Sequence, residues 1–288
     1  LMDDKALGRK SGIVLVDNGS LNPKSILEAR SLASSLSKRL KRSVASVSVA
    51  HSDGIPACEL GGLRAQLWKS YLEEAVSYGT QEIYAIPLFI GPGFALKKGK
   101  KMGLAQSKAT GGPIVRWADP LVSMTDQDSL LTEILAENVL QVLDGSGAEP
   151  KGHRVMLVDH GSPFVEVTAC RNFAASQLQS ALGNQVESVV GCSMERREGK
   201  EFDFNEPSLE KALSRAVEGG IENVVICYLF LFSGRHAGSG GDIDQICLKA
   251  GWSPSRNLLK TDLIGLNPKL LDLLEIRLNS IQPEPEFQ

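Results

Sequence analysis

The chain has 288 residues, 42% hydrophobic and 23% charged, and its 31 basic and 34 acidic residues leave a net charge of −3. That length suits about two domains, each able to bury a core without disulfides or a structural metal. The mild acidity argues against a nucleic-acid surface, and the longest apolar run, Val224 to Phe232, is far short of the roughly 20 residues a helix needs to cross a bilayer.

Taken in order, the chain reads as strands alternating with helices. It starts at Leu1 rather than a methionine, which is compatible with a trimmed targeting segment. Short β-branched runs bounded by Gly or Pro predict strands over 12–17, 43–50, 82–90 and near 114–118. Apolar spacing such as Ala29, Leu32, Ala33, Leu36 and Leu40 predicts a helix over 23–40, with others over 63–78 and 129–143. The run Lys97-Lys98-Gly99-Lys100-Lys101 reads as a solvated, mobile surface segment, and it would place four ammonium groups near the mouth of a ligand cleft. Small residues from Asp144 to Pro150 mark a linker. Beyond it, strands are expected over 154–159, 185–192 and 224–232, with loops at 159–163, 193–206 and 233–242.

An internal repeat organises these elements. Val14-Leu15-Val16-Asp17-Asn18-Gly19-Ser20 matches Met156-Leu157-Val158-Asp159-His160-Gly161-Ser162, a shift of 142 from Asn18 to His160. The same shift carries Ile86 to Ile90 onto Tyr228 to Phe232 and Leu121-Val122 onto Leu263-Ile264. The expected architecture is α/β: two similar doubly wound domains, each a parallel sheet flanked by helices, with a cleft between them. The seam is placed between residues 145 and 146, giving a degenerate repeat over 1–145 and a repeat that carries the site over 146–288. In such sheets ligands bind beyond the carboxyl ends of the strands.

Candidate chemistry gathers in the second half. Of the four histidines, His160 and His236 follow predicted strands of one domain, and a third strand runs into Ser193-Met194-Glu195-Arg196-Arg197-Glu198-Gly199. Two imidazoles and a carboxylate at converging strand ends make a divalent-metal site with open positions. Taken singly, each has a plainer reading: a loop histidine is more often a hydrogen-bonding residue than a ligand, and Glu195 in a charged run is a solvated side chain. The shift of 142 carries His160, Glu195 and His236 back onto Asn18, Asp53 and Phe94, so one site is expected. His153 reads as structural or exposed. His51 reads as a satisfied strand-end histidine or as a residue lining the cleft.

The glycine-rich loop from Ser233 to Asp242, which contains Gly234, offers backbone N–H groups to an anion. It lacks the P-loop lysine spacing and the dinucleotide fingerprint, so no nucleotide is expected. Arg196, Arg197 and Arg235 suit carboxylate recognition, and with Ser162, Gly234 and His51 they complete the expected substrate wall. Ser162 is not in a nucleophile elbow. The five cysteines, Cys58, Cys170, Cys192, Cys227 and Cys247, are an odd number without a CxxC pair, which fits a reducing compartment rather than a disulfide framework.

Asp159-His160-Gly161-Ser162-Pro163, Met194-Glu195, Asn205-Glu206-Pro207-Ser208-Leu209-Glu210, and Phe230 to His236 followed by Asp242-Ile243 resemble, in that order, the CbiX/SirB sirohydrochlorin chelatases, in their two-repeat form. The fuller strings around Glu195 and His236 are similar to a CbiX-like branch of photosynthetic organisms. The resemblance implies ATP-independent insertion of Co²⁺ or Fe²⁺ into sirohydrochlorin or a related tetrapyrrole, a step of siroheme or cobalamin biosynthesis, with the divalent ion as substrate. It implies that His160, Glu195 and His236 hold the metal and do the chemistry while basic residues hold the carboxylate arms. The residues Arg196 to Phe204 depart from the pattern and lengthen the loop after Glu195. A monomer or homodimer is expected, in the plastid stroma if the chain is of plant origin and in the cytoplasm otherwise. The competing reading is a non-catalytic carrier of metal or tetrapyrrole on a chelatase scaffold.

Overall fold

Five successive residues of strand β1 (Ser11–Asp17) are buried, and Val155 to Asp159 are buried in β5 (His153–Asp159). A strand without an exposed alternation belongs in the middle of a parallel sheet covered on both faces. Both lie there, in the computed structural model that describes residues 11–109, 111–124, 130–147, 149, 151–252 and 257–283. The first sheet has the order β2-β1-β3-β4, with β2 (Val44–Ser48), β3 (Glu82–Pro87) and β4 (Ile114–Trp117). The second has the order β6-β5-β7-β8, with β6 (Ser188–Ser193), β7 (Asn223–Tyr228) and β8 (Leu258–Lys260). Among the described residues all strand pairings are parallel, so the expected α/β class, with a parallel sheet in each half, is the observed one.

The helices are α1 (Pro23–Leu40), α2 (Trp68–Ser77), α3 (Phe94–Lys108), α4 (Leu130–Ser146), α5 (Val165–Leu182), α6 (Leu209–Glu218), α7 (Asp242–Lys249) and α8 (Leu270–Asn279). Helix α1 starts where Asn22 accepts a hydrogen bond from the Lys24 amide and proline occupies the first helical position, and it buries Ile26, Ala29, Leu32, Ala33 and Leu36. Each sheet has a buried tryptophan whose indole N–H is satisfied, Trp68 by Gly99 O at 3.0 Å and Trp252 by Leu213 O at 3.3 Å.

Two compact units result: residues 1–121 with 271–288, and residues 122–270. The seam is expected at 145/146 from the sequence, whereas packing assigns α4 to the second unit and nearly all of α8 to the first. In the first unit the Arg277 side chain, 2% exposed, donates to Pro120 O and Leu121 O. Ser129, the expected start of a helix, and Ala148 and Pro150 of the expected linker lie outside the described residues.

The expectation of a mobile segment at Lys97 to Lys101 is corrected, because these residues are the second and third turns of α3. Leu96, Gly99 and Gly103 form its buried face, and a Cβ on Gly99 would come within 3.3 Å of Trp117 and 3.4 Å of Val49. The lysines occupy the opposite, exposed face.

The repeat is exact across β1 and β5 but shifts elsewhere. Asp17 pairs with Ser48 as Asp159 pairs with Ser193. The Ala50 amide donates to Asn18 O as the Glu195 amide donates to His160 O. The counterpart of Glu195 is therefore Ala50, not Asp53. Helix α3 follows a connection of residues 88–93, whereas α7 follows residues 229–241. Gly93 and Gly241 precede the two helices with the same backbone conformation, so Phe94 corresponds to Asp242. His236 stands on extra loop that the first unit lacks.

Candidate functional site

β5 delivers His160 to the carboxyl edge of the second sheet, and the residue after it makes the local geometry. Gly161 has φ +91°, and a Cβ there would lie 1.9 Å from the Glu195 carbonyl oxygen. Only glycine permits so close an approach of the two loops. The His160 Nε2 atom lies 3.5 Å from Glu195 Oε1, and its Nδ1 lies 3.2 Å from Gly161 O.

His236 arrives from the connection between β7 and α7. That loop folds onto the helix start, where the Asp242 amide donates to Arg235 O and the Ile243 amide to His236 O, both at 3.2 Å. The His236 ring meets His160 edge to face, with centroids 4.7 Å apart and planes at 81°. Its Nδ1 lies 2.7 Å from Asp242 Oδ2. In both imidazoles Nδ1 thus faces an oxygen acceptor. The His160 and Glu195 side chains are 48% and 61% exposed, and His236 is 31% exposed. Among the described residues no group of three or more His, Cys, Asp or Glu side chains is arranged to hold a metal ion as it stands. The three expected ligands are instead joined by two pairwise contacts, His160 with Glu195 and His160 with His236.

Beneath these residues is a buried polar network. Arg171, on α5 and 0% exposed, lies 3.6 Å from Asp159 and donates to Asn205 O at 3.0 Å and to the Ser193 hydroxyl. Ser193 in turn donates to Asp159 Oδ1 at 2.9 Å. Asn205 accepts from the Ser162 amide at 3.1 Å and from the Thr168 hydroxyl at 3.0 Å, and donates to Ser162 O at 2.8 Å. One amide side chain therefore ties the loop after β6 to the loop after β5. Burial pushes the Asp159 carboxyl upward, and Arg171 and Ser193 oppose that shift. The matching Asp17 has Ala29 at the helix position that Arg171 occupies in α5. Its carboxyl is pushed up to about 6 by burial, against a hydrogen bond from Ser48.

The expected substrate wall divides. Arg196 is already held by Asp203 at 2.7 Å and Glu206 at 3.0 Å, leaving little of it for a substrate carboxylate. Arg197 is exposed, with its guanidinium 5.8 Å from the Phe202 ring centroid, and Phe202 meets Phe204 edge to face. Arg235 is 83% exposed and lies 3.3 Å from Asp242 Oδ2. The Ser162 hydroxyl accepts from the Phe164 amide at 3.1 Å, capping its own loop. Gly234 is half-buried in the loop that carries His236. His51 belongs to the first unit, where it is exposed at φ +70°. His153 is buried at the start of β5, at the opposite strand ends, and its ring nitrogens have no hydrogen-bond partner among the described residues.

Sequence reasoning assigned no role to Asp242, Asn205 or Arg171. The first two stand inside quoted motifs. For Arg171 the available signal was a charged residue on a helix face otherwise occupied by Thr168, Ala174, Ala175 and Leu178, all buried.

Comparison with known proteins follows the same lines. SirB from Bacillus subtilis with Fe³⁺ has 18% identity to the chain, with 95% of this chain and 96% of that one covered and a TM-score of 0.67. The sirohydrochlorin chelatase SirB from B. subtilis subspecies spizizenii in complex with cobalt has 16% identity over 97% and 98%, with a TM-score of 0.66. CbiX, described as the terminal enzyme for biosynthesis of siroheme in denitrifying bacteria, has 15% identity over 96% and 100%, with a TM-score of 0.62. At these identities the likeness is one of fold. A comparison with curated proteins finds no match. The CbiX family model matches residues 154–281, which contain His160, Glu195 and His236.

Proposed function

We propose that the protein inserts a divalent metal ion, Co²⁺ or Fe²⁺, into sirohydrochlorin or a closely related tetrapyrrole, without a nucleotide. The observation that carries this reading is the edge-to-face contact of His160 and His236 at 4.7 Å, within the stretch that matches CbiX. The shared fold of SirB, a sirohydrochlorin chelatase seen in complex with cobalt, supports it.

Neutral imidazole is a good ligand for either ion. With each Nδ1 turned to an oxygen acceptor, Nε2 is the atom left to meet the metal. Glu195 is exposed and close to His160 Nε2, so a small side-chain rotation brings its carboxylate to the same ion. Metallation releases two pyrrole protons. The Glu195 carboxylate accepts one, and the His160 imidazole, once it has given up the metal, accepts the other. Arg197 and Arg235, both exposed, supply cations for substrate carboxylates.

The test is metallation followed by absorption with purified protein, sirohydrochlorin and Co²⁺. Acceleration over the spontaneous rate that is lost in His160→Ala and His236→Ala supports insertion. Tight tetrapyrrole binding without acceleration indicates a carrier and contradicts the proposal.

A further inference from the structure

Of the two imidazoles, His236 has the shorter and more strongly polarised support. Its Nδ1 meets a carboxylate oxygen at 2.7 Å, whereas His160 Nδ1 meets only the carbonyl of its own neighbour at 3.2 Å. The carboxylate belongs to Asp242, the first residue of α7, and backbone contacts fix that placement independently of the His236 ring. The Asp242 amide donates to Arg235 O, the Ile243 amide donates to His236 O, and the Gly241 amide donates to Gly238 O. At Gly241 a Cβ would approach the Arg235, His236 and Gly238 carbonyl oxygens to 2.6–2.9 Å. The loop that carries His236 is therefore closed tightly on the helix start that carries Asp242. The first unit lacks both parts: its connection over 88–93 is about half as long, and Phe94 begins its helix.

We propose that Asp242 is a positioning residue: it accepts the Nδ1–H of His236, fixes that tautomer and ring orientation, and so presents Nε2 as the metal-donating atom. A carboxylate does this better than a carbonyl because the charge-assisted bond is shorter and stronger. An imidazole whose other nitrogen is held in this way is a better-oriented ligand, and losing the support typically costs about 10–100-fold in metal affinity. Arg235 shares the same oxygen at 3.3 Å, so it also helps keep the carboxylate in place. The inference rests on the metal-handling reading of His160 and His236, and extends it to a residue outside the expected ligand set.

The experiment uses the full chain and two separate readouts. Nitrogen-15 NMR of the histidine rings reports which nitrogen of His236 carries the proton, with no metal present. Titration calorimetry with Co²⁺ alone reports affinity. The wild type is expected to show His236 protonated at Nδ1, and Asp242→Ala is expected to lose that single tautomer and to weaken Co²⁺ binding by about 10–100-fold. Asp242→Asn keeps an acceptor without the charge, and is expected to retain the tautomer with an intermediate affinity. It also serves as the informative variant if Asp242→Ala does not fold. An unchanged tautomer together with Co²⁺ affinity within twofold of wild type in Asp242→Ala overturns the proposal. A wild-type protein that shows the tautomer but binds no Co²⁺ overturns the chelatase reading instead, and the two failures are distinct.

Discussion

The Arg171 guanidinium lies 3.6 Å from the Asp159 carboxylate, both withdrawn from solvent, and Asp159 is the residue that precedes His160. The pair also holds Ser193 and Asn205, so it braces the two loops that carry His160 and Glu195. Replacing one member strands the other. Arg171→Met is expected to destabilise the second unit by about 3–5 kcal/mol, because an unpaired buried charge is left behind. Asp159→Asn added to Arg171→Met is expected to recover part of that loss. Urea unfolding of the single and double variants measures both, and a single-variant loss under 1 kcal/mol would contradict the role given to the pair.

Asp17 occupies the same strand position without a buried arginine, and burial pushes its carboxyl up to about 6. The unfolded chain releases this proton near pH 4, so between about pH 4 and pH 6 the folded state binds more protons than the unfolded state. Its contribution to stability therefore falls as pH rises through that window. Asp17→Asn is expected to remove this fall and to stabilise the protein at pH 7 by about 1–3 kcal/mol. Denaturant midpoints at pH 4 and pH 7 check the sign. A variant less stable than wild type at pH 7 would show that the ionised carboxylate is favoured in the fold.

Gly161 joins backbone conformation to the site. Gly161→Ala combines φ +91° with a Cβ 1.9 Å from the Glu195 carbonyl. The strained backbone alone costs about 1–3 kcal/mol, and the clash adds to it by forcing the loops of His160 and Glu195 apart. Gly61→Ala is a fair control, at φ +69° with nothing within 4 Å. Thermal unfolding is expected to show a clearly larger loss for Gly161→Ala, and equal losses would mean that the loops relax freely.

Arg197 is exposed beside Phe202, whereas Arg196 already has two carboxylate partners. Arg197→Ala is therefore expected to raise KM for the tetrapyrrole by about tenfold, near 1.4 kcal/mol, with little change in kcat. Arg196→Ala is expected to act through the loop, with a smaller effect on KM. Steady-state kinetics at fixed Co²⁺ separates the two, and the reverse order would mean that Arg196 exchanges its internal partners for substrate.

The alternation of strands and helices was legible because central parallel strands are unbroken apolar runs, and the repeat was legible because β1 and β5 both end in Leu-Val-Asp and run into a Gly-Ser turn at the same spacing. His160 and His236 were legible from their places after such strands. A constant shift of 142 failed once it crossed a loop. Hydrogen bonding holds strands in register, but connections tolerate extra residues, and this is why Glu195 matches Ala50 and His236 has no counterpart in the shorter loop. The lysine run concealed α3, since its helical signal rests on Leu96 and two glycines rather than on large apolar residues. The bracing role of Arg171 and Asn205 was beyond reach because their partners are distant in sequence and meet only in the folded unit.

The most direct measurement is the rate at which sirohydrochlorin takes up Co²⁺, followed by absorption with wild type, His160→Ala and His236→Ala under the same conditions. Wild type is expected to exceed the spontaneous rate by orders of magnitude, and each variant to lose at least about 100-fold of that enhancement, since removing a ligand that positions the reacting ion is of that size. A wild-type rate equal to the spontaneous one, or full activity in both folded variants, would contradict metal insertion at this pair of histidines.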